Sequence, residues 1–196
     1  MTTIAYIHGF NSAPETDTYK SLKSGMPDYN FVSLEYDYIN PINAWSDFDT
    51  QIMEIFRKFG TDVLFVGTSL GGFWADKLAQ YFRTSCVIIN PSIDPSESMK
   101  SYIGKNKNYL TNEIKILTEE NCNNYLLFNS FYTTSPHRVV VLGMKDEILD
   151  PIKTELHFKD NAEIIKIENM GHRMENTDLL INIITSTLDN ITDEKL

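Results

Sequence analysis

Short apolar runs alternate with helical patterns along all 196 residues, which predicts a doubly wound α/β fold: a parallel sheet of about six strands with helices on both faces. Three observations carry this. The apolar runs are brief and continuous rather than alternating, as in strands buried on both faces of a parallel sheet. The segments between them repeat their large apolar residues at helical spacing. A polar stretch from about Asp94 to Pro136 interrupts the alternation and predicts a short lid inserted into the fold.

In chain order, Ile4-Ala5-Tyr6-Ile7 reads as the first strand and Phe31-Val32-Ser33-Leu34-Glu35-Tyr36 as the second. Val63 to Val66, Cys86-Val87-Ile88-Ile89, Val139-Val140-Val141-Leu142 and Ile164-Ile165-Lys166-Ile167 follow. Between the second and third strands, Ile42, Trp45, Phe48, Ile52, Ile55, Phe56 and Phe59 recur at helical spacing, with Asn40 placed as N-cap and Pro41 as the first helical residue. Leu70, Phe73, Trp74, Leu78 and Tyr81 mark a helix after the third strand, and Leu180, Ile183, Ile184, Leu188 and Ile191 one near the C-terminus. The interval 94–136 is rich in Asn, Lys, Ser and Thr yet carries Tyr102, Tyr109, Tyr125, Phe128, Phe131 and Tyr132. Helices are expected there near Ser96–Ile103 and Asn112–Asn123. It is too short for a second domain, so residues 1–196 read as one domain.

Charge narrows the function classes. A formal net charge of −10, with no Lys/Arg run, argues against nucleic acid or an anionic membrane as partner. No signal-peptide pattern opens the chain and no apolar stretch approaches bilayer length. Cys86 and Cys122 lack metal-type spacing, and Cys86 sits in an apolar run as a reduced, buried thiol would. The expectation is a cytoplasmic protein acting on a small molecule, with no metal or organic cofactor.

Gly67-Thr68-Ser69-Leu70-Gly71 is the most informative motif. It matches the G-x-S-x-G nucleophile elbow, in which a serine sits on a strained strand-to-helix turn. The pentapeptide alone arises by chance in roughly one chain in fifteen to twenty of this length. Here it lies between a buried-type strand and an amphipathic helix, as the chemistry requires. A serine needs a base, and the base an orienting acid. In open α/β sheets these gather at the carboxyl ends of the strands. His172 follows the last strand and is the expected base; His8, after the first strand, is the competitor. His137 precedes the fifth strand, at the opposite end, and His157 falls within a helical segment. Asp146 comes first after the fifth strand and is the expected acid, with Glu147, Asp150 and, more distantly, Asp94 as alternatives. Asp150 also suits the N-cap of a helix starting near Pro151. The order Ser69, Asp146, His172 is that of α/β-hydrolases. The backbone N–H groups of Leu70 and of Phe10, in His8-Gly9-Phe10-Asn11-Ser12, are the expected oxyanion hole, with His8 supporting that loop.

The segments Ile7-His8-Gly9-Phe10-Asn11-Ser12-Ala13-Pro14, Gly67-Thr68-Ser69-Leu70-Gly71-Gly72-Phe73, Ile89-Asn90-Pro91, Lys145-Asp146-Glu147-Ile148-Leu149-Asp150 and Gly171-His172 together resemble the YqiA/YcfP-type (UPF0227-like) family of small esterases. The resemblance covers most of the chain and only loosely the 94–136 interval. It implies a minimal α/β-hydrolase with a six-stranded parallel core, a Ser-Asp-His triad and action on short acyl esters. Lys145 replaces a family glycine, and Asn169-Met170-Gly171-His172 replaces the family's Gly-Gly-Asp-His. The expected activity is hydrolysis of small carboxylic esters or thioesters through an acyl-enzyme. An amidase or peptidase on the same triad, or a silent hydrolase fold used for binding, are the alternatives.

Overall fold

The computed structural model describes residues 1–129 and 137–193. Eight strands occur there: β1 (Thr3–Ile7), β2 (Asn30–Leu34), β3 (Val63–Thr68), β4 (Ser85–Ile89), β5 (Gly104–Lys107), β6 (Ile114–Leu117), β7 (Arg138–Gly143) and β8 (Glu163–Ile167). Six of them form one sheet in the order β2-β1-β3-β4-β7-β8, every pairing parallel. β5 and β6 form a separate antiparallel hairpin. All six predicted strands are present within a few residues of their expected bounds.

The helices are α1 (Asp17–Gly25), α2 (Pro41–Phe59), α3 (Leu70–Phe82), α4 (Pro95–Ser98), α5 (Glu119–Asn124), α6 (Pro151–Phe158) and α7 (Thr177–Asp193). Strand residues alternate between two cores. Ala5, Ile7, Phe65, Cys86, Ile88, Val140 and Leu142 face the core shared with α2, α3 and α6. Ile4, Tyr6, Leu64, Val66, Val87, Ile89, Val139 and Val141 face the core shared with α1 and α7. The sheet is therefore wound on both faces, and each buried Leu, Ile, Val or Phe stabilises it by roughly 1.5–3 kcal/mol. The central strands β1, β3, β4 and β7 are buried almost throughout. The edge strands β2 and β8 are only half-buried, because each lacks a neighbour on one side.

Local chemistry accounts for the helix ends. The Asn40 side chain accepts the Ile42 N–H with Pro41 at the first helical position, as the sequence predicts for α2. Ile42 itself is half-exposed, and the buried face of α2 runs through Pro41, Ala44, Phe48, Ile52 and Ile55 instead. Thr16 caps α1, which carries too little apolar periodicity to be read from sequence.

Within 94–129 the expectation is half right. α4 and a 3-10 turn at Lys100–Tyr102 occupy the first predicted helix. The second, Asn112–Asn123, is corrected: β6 runs through its first half and α5 starts only at Glu119. Asn108 folds the chain into a turn by accepting the N–H groups of Leu110 and Thr111, and Asn112 follows at φ 61°. Ile114 and Ile116 then alternate with Lys115 and Leu117, a strand period, until the capping box of Thr118 and Asn121 opens the helix. The segment is seated on α3: Trp74 lies 5.7 Å from Tyr125 and 5.0 Å from Phe128 between ring centroids. The expectations for Phe131 and Tyr132 fall outside the described residues. Both cysteines are buried and outside any disulfide, and among the described residues no helix is long and apolar enough to cross a membrane.

Candidate active site

β2 and β3 flank β1 on opposite sides, so the connections leaving β1 and β3 diverge at their carboxyl ends, the switch point at which open α/β sheets bind ligands. The β3–α3 turn lies at this edge. Ser69 stands at φ 55°, ψ −119°, outside the usual range for a residue with a side chain, and its hydroxyl makes no capping bond to α3. Its N–H donates to the Ile89 carbonyl at 2.9 Å, and its carbonyl accepts from Ser92 at 3.1 Å. The strained turn is thus held from β4. Gly67 and Gly71 make it possible: a Cβ on Gly67 would overlap the Gly71 carbonyl, and one on Gly71 the carbonyls of Ile7 and His8. Leu70 is the first residue of α3, so its N–H has no partner within the helix and lies at the positive end of the helix dipole.

The loop after β1 lies directly against this turn. A Cβ built on Gly9 would sit 3.4 Å from the Ser69 Cβ. His8 is not aimed at solvent or substrate: it is 1% exposed, its ring stacks on Tyr36 at 4.6 Å, and Nδ1 lies 2.8 Å from the Gly9 carbonyl. Burial pushes its pKa down to about 4, and nearby Lys115 pushes the same way against the Gly9 hydrogen bond. It is neutral at pH 7, with the Nδ1–H donating. The Tyr36 hydroxyl donates to the His8 carbonyl at 2.8 Å. His8 therefore braces the loop, as expected, and is removed as a rival base. Phe10 follows, its ring packed on Tyr38 and Tyr102 at 5.7 and 5.4 Å.

In the loops after β7 and β8, His172 Nδ1 lies 2.8 Å from Asp146 Oδ2. The Asp146 side chain is 2% exposed, and its other oxygen accepts the N–H groups of Ile148 and Leu149 at 2.8 and 2.9 Å. Burial pushes its pKa up, but the His172 ring and the two N–H groups outweigh that and hold it below the ordinary carboxylate range. The pair leaves His172 Nε2 as the free ring nitrogen of a fixed tautomer. Glu147, the alternative acid, instead accepts the His172 backbone N–H at 3.0 Å and so fixes the loop rather than the ring.

In the sequence Asn90, just past β4, stands out only as part of Ile89-Asn90-Pro91, with no role attached to it. It is 2% exposed at φ 41°. Its Nδ2 donates to the carbonyls of Gly171 and His172 at 3.0 and 2.9 Å, and its Oδ1 accepts the Gly143 N–H at 2.7 Å. One amide side chain ties β4, β7 and the histidine loop together. A Cβ on Gly143 would come within 2.6 Å of the Met170 and Gly171 carbonyls, so glycine is needed for that loop to lie so close. The position of Asn90 after a strand was the available signal.

Residues 3–188 match the model of Uncharacterised protein family UPF0227. The chain belongs to this family. Among its UPF0227 relatives is protein YE1706 of Yersinia enterocolitica, 26% identical over 176 residues that cover 88% of this chain and 91% of that one. Another is protein ECA1814 of Pectobacterium atrosepticum, 25% identical with the same coverage of both chains. Solved structures of α/β-hydrolases share the fold. Est1E from Butyrivibrio proteoclasticus, solved with ferulic acid bound, matches with a TM-score of 0.72 at 13% identity, over 97% of this chain and 89% of its own. Mouse alpha/beta hydrolase domain-containing protein 10 matches with a TM-score of 0.69 at 19% identity, over 96% and 90%. The UPF0227 chain thus has the α/β-hydrolase architecture predicted for it.

The remaining candidates sit elsewhere in this UPF0227 fold. Asp150 caps α6 by accepting from Ile152 and Lys153. Asp94 accepts from the Ser96 hydroxyl at the start of α4. His137 lies at the amino end of β7, 3.7 Å from Glu163, and His157 is on α6 against Phe158. Among the described residues no group of three His, Cys, Asp or Glu is placed to hold a metal ion.

Proposed function

We propose that this protein is a serine hydrolase that cleaves small carboxylic esters or thioesters through an acyl-enzyme formed on Ser69. The observation carrying the reading is the His172–Asp146 pair at 2.8 Å, its carboxylate buried, set at the same edge of the sheet as the strained Ser69 turn. In the first half-reaction Ser69 Oγ attacks the acyl carbon while His172 Nε2 takes the hydroxyl proton. The carbonyl π electrons move onto oxygen, and the N–H groups of Phe10 and Leu70 stabilise that oxyanion. Collapse breaks the bond to the leaving alkoxide or thiolate, which receives the proton from His172. Water then repeats the sequence on the acyl-enzyme and releases the acid. Asp146 holds the tautomer and stabilises the imidazolium, and its lowered pKa keeps it charged while it does so.

The test is a series of acyl esters of increasing chain length, with matched thioesters and amides, assayed against wild type and Ser69→Ala. Ester or thioester turnover is expected to fall by roughly three to six orders of magnitude in Ser69→Ala, with the fold retained. Near-wild-type turnover in that variant contradicts the assignment, and faster cleavage of the amides would move the reading to an amidase.

A further inference from the structure

We propose that Asn108, in the turn of the β5–β6 hairpin, is a positioning residue for the oxyanion loop; the inference rests on the serine-hydrolase reading above. The loop 9–12 belongs to no strand or helix, and Asn11 within it stands at φ 56°. Its upstream half is held by the body of the fold, through Gly9 against Ser69 and the Tyr36 hydroxyl on the His8 carbonyl. Its downstream half is held by the hairpin, nearly a hundred residues later in the chain. Asn108 Nδ2 donates to the Ser12 carbonyl at 2.7 Å and makes a longer contact, 3.4 Å, to the Tyr38 hydroxyl. The neighbouring Tyr109 N–H donates to the Asn11 carbonyl at 2.8 Å, and Asn11 Nδ2 reaches Asn106 Oδ1 at 3.4 Å.

The Phe10 peptide lies between these two anchored halves. Its N–H serves the reaction only if it points at the place where charge develops, and such donors must be fixed before the reaction starts. Displacements of about 1 Å cost on the order of a hundredfold in rate. Asn108 is built for the task. It is 2% exposed, and its Oδ1 is already occupied by the Leu110 and Thr111 N–H groups, which fixes which end of the amide faces Ser12. The hairpin is also anchored outside the loop: Leu117 of β6 is buried in the main core, and Lys115 lies 4.9 Å over the Tyr38 ring. At its tip the Tyr109 ring meets the Arg173 guanidinium at 5.8 Å, in the residue next to His172, so the hairpin touches both the oxyanion loop and the histidine loop.

Asn108→Asp preserves the acceptor for Leu110 and Thr111 but turns a carboxylate oxygen toward the Ser12 carbonyl; Asn108→Ala removes both functions. Each is assayed for kcat and KM on a short acyl ester, for inhibition by an aryl boronic acid that forms a tetrahedral adduct on serine, and for folding by thermal melt. Ile114→Ser, on the exposed face of the hairpin, is the control. The expected result is a fall in kcat of about 10- to 100-fold, with KM within about threefold. Boronate affinity should weaken by a similar factor, and the control should match wild type. Folded Asn108 variants with wild-type kcat and boronate affinity overturn the inference, as does a loss proportional only to the unfolded fraction. Should both variants fail to fold, Asn11→Gly, which keeps the positive φ but breaks the tie to Asn106, must show the same kcat-selective loss. Ester turnover in wild type that Ser69→Ala abolishes, with Asn108 variants unchanged, sinks the positioning role alone. Absence of Ser69-dependent turnover in wild type sinks the hydrolase reading and this inference with it.

Discussion

At the scale of single residues, two histidines sit at the carboxyl edge of the sheet in opposite electrostatic settings. His172 meets a buried carboxylate, whereas His8 meets a carbonyl and two tyrosine rings. His8 consequently links folding to pH. Its pKa falls from 6.5 to about 4 on burial, so between those values the unfolded chain binds a proton that the folded one does not. Its stabilising contribution is complete above pH 6.5 and drains away as pH falls toward 4. Denaturation of wild type and His8→Gln at pH 7 and pH 5 checks this: wild type should lose about 2 kcal/mol more than the variant over that interval. A difference between the two proteins that does not change with pH would contradict it. The placement of Ser69, Asp146 and His172 was legible because each follows a strand at the carboxyl edge of the sheet. The role of Asn90 was not, since an asparagine after a strand has many uses and only folding shows it facing the Gly171 carbonyl.

At the scale of elements, the β3–α3 turn is defined by close backbone approach. Gly71→Ala would press a methyl group onto the carbonyls of Ile7 and His8, neither of which can yield without moving β1. We expect it to cost about 3 kcal/mol or more. By contrast, Gly25→Ala on α1 meets only the flexible end of the Ile181 side chain and should cost much less. Melting temperatures of the two variants test the comparison, and equal losses would refute it. The central strands and the long helices could be read from periodicity because packing on two faces imposes it. The hairpin β5–β6 could not: four-residue strands with lysines opposite isoleucines carry too little pattern, and their position depends on Asn106 and Asn108 reaching a loop distant in sequence. α1 escaped for a related reason, since only Tyr19 and Leu22 are buried in its nine residues.

At the scale of the whole molecule, the parallel sheet brings together four loops that are scattered along the chain. The β1 loop carries the oxyanion candidate Phe10, the β3 turn the candidate nucleophile Ser69, the β7 loop the candidate acid Asp146 and the β8 loop the candidate base His172. Asn90 and the hairpin cross-tie them, so that the site is assembled from segments spanning Phe10 to His172. The framework, rather than any single loop, thus holds these candidate groups in register. The central claim is that Ser69 is an activated nucleophile. Incubation with a fluorophosphonate probe followed by peptide mass spectrometry tests it most directly. One adduct is expected, on the peptide containing Ser69, absent from Ser69→Ala and strongly slowed in His172→Ala; an unlabelled protein, or an adduct on another residue, would mean that Ser69 is not the nucleophile.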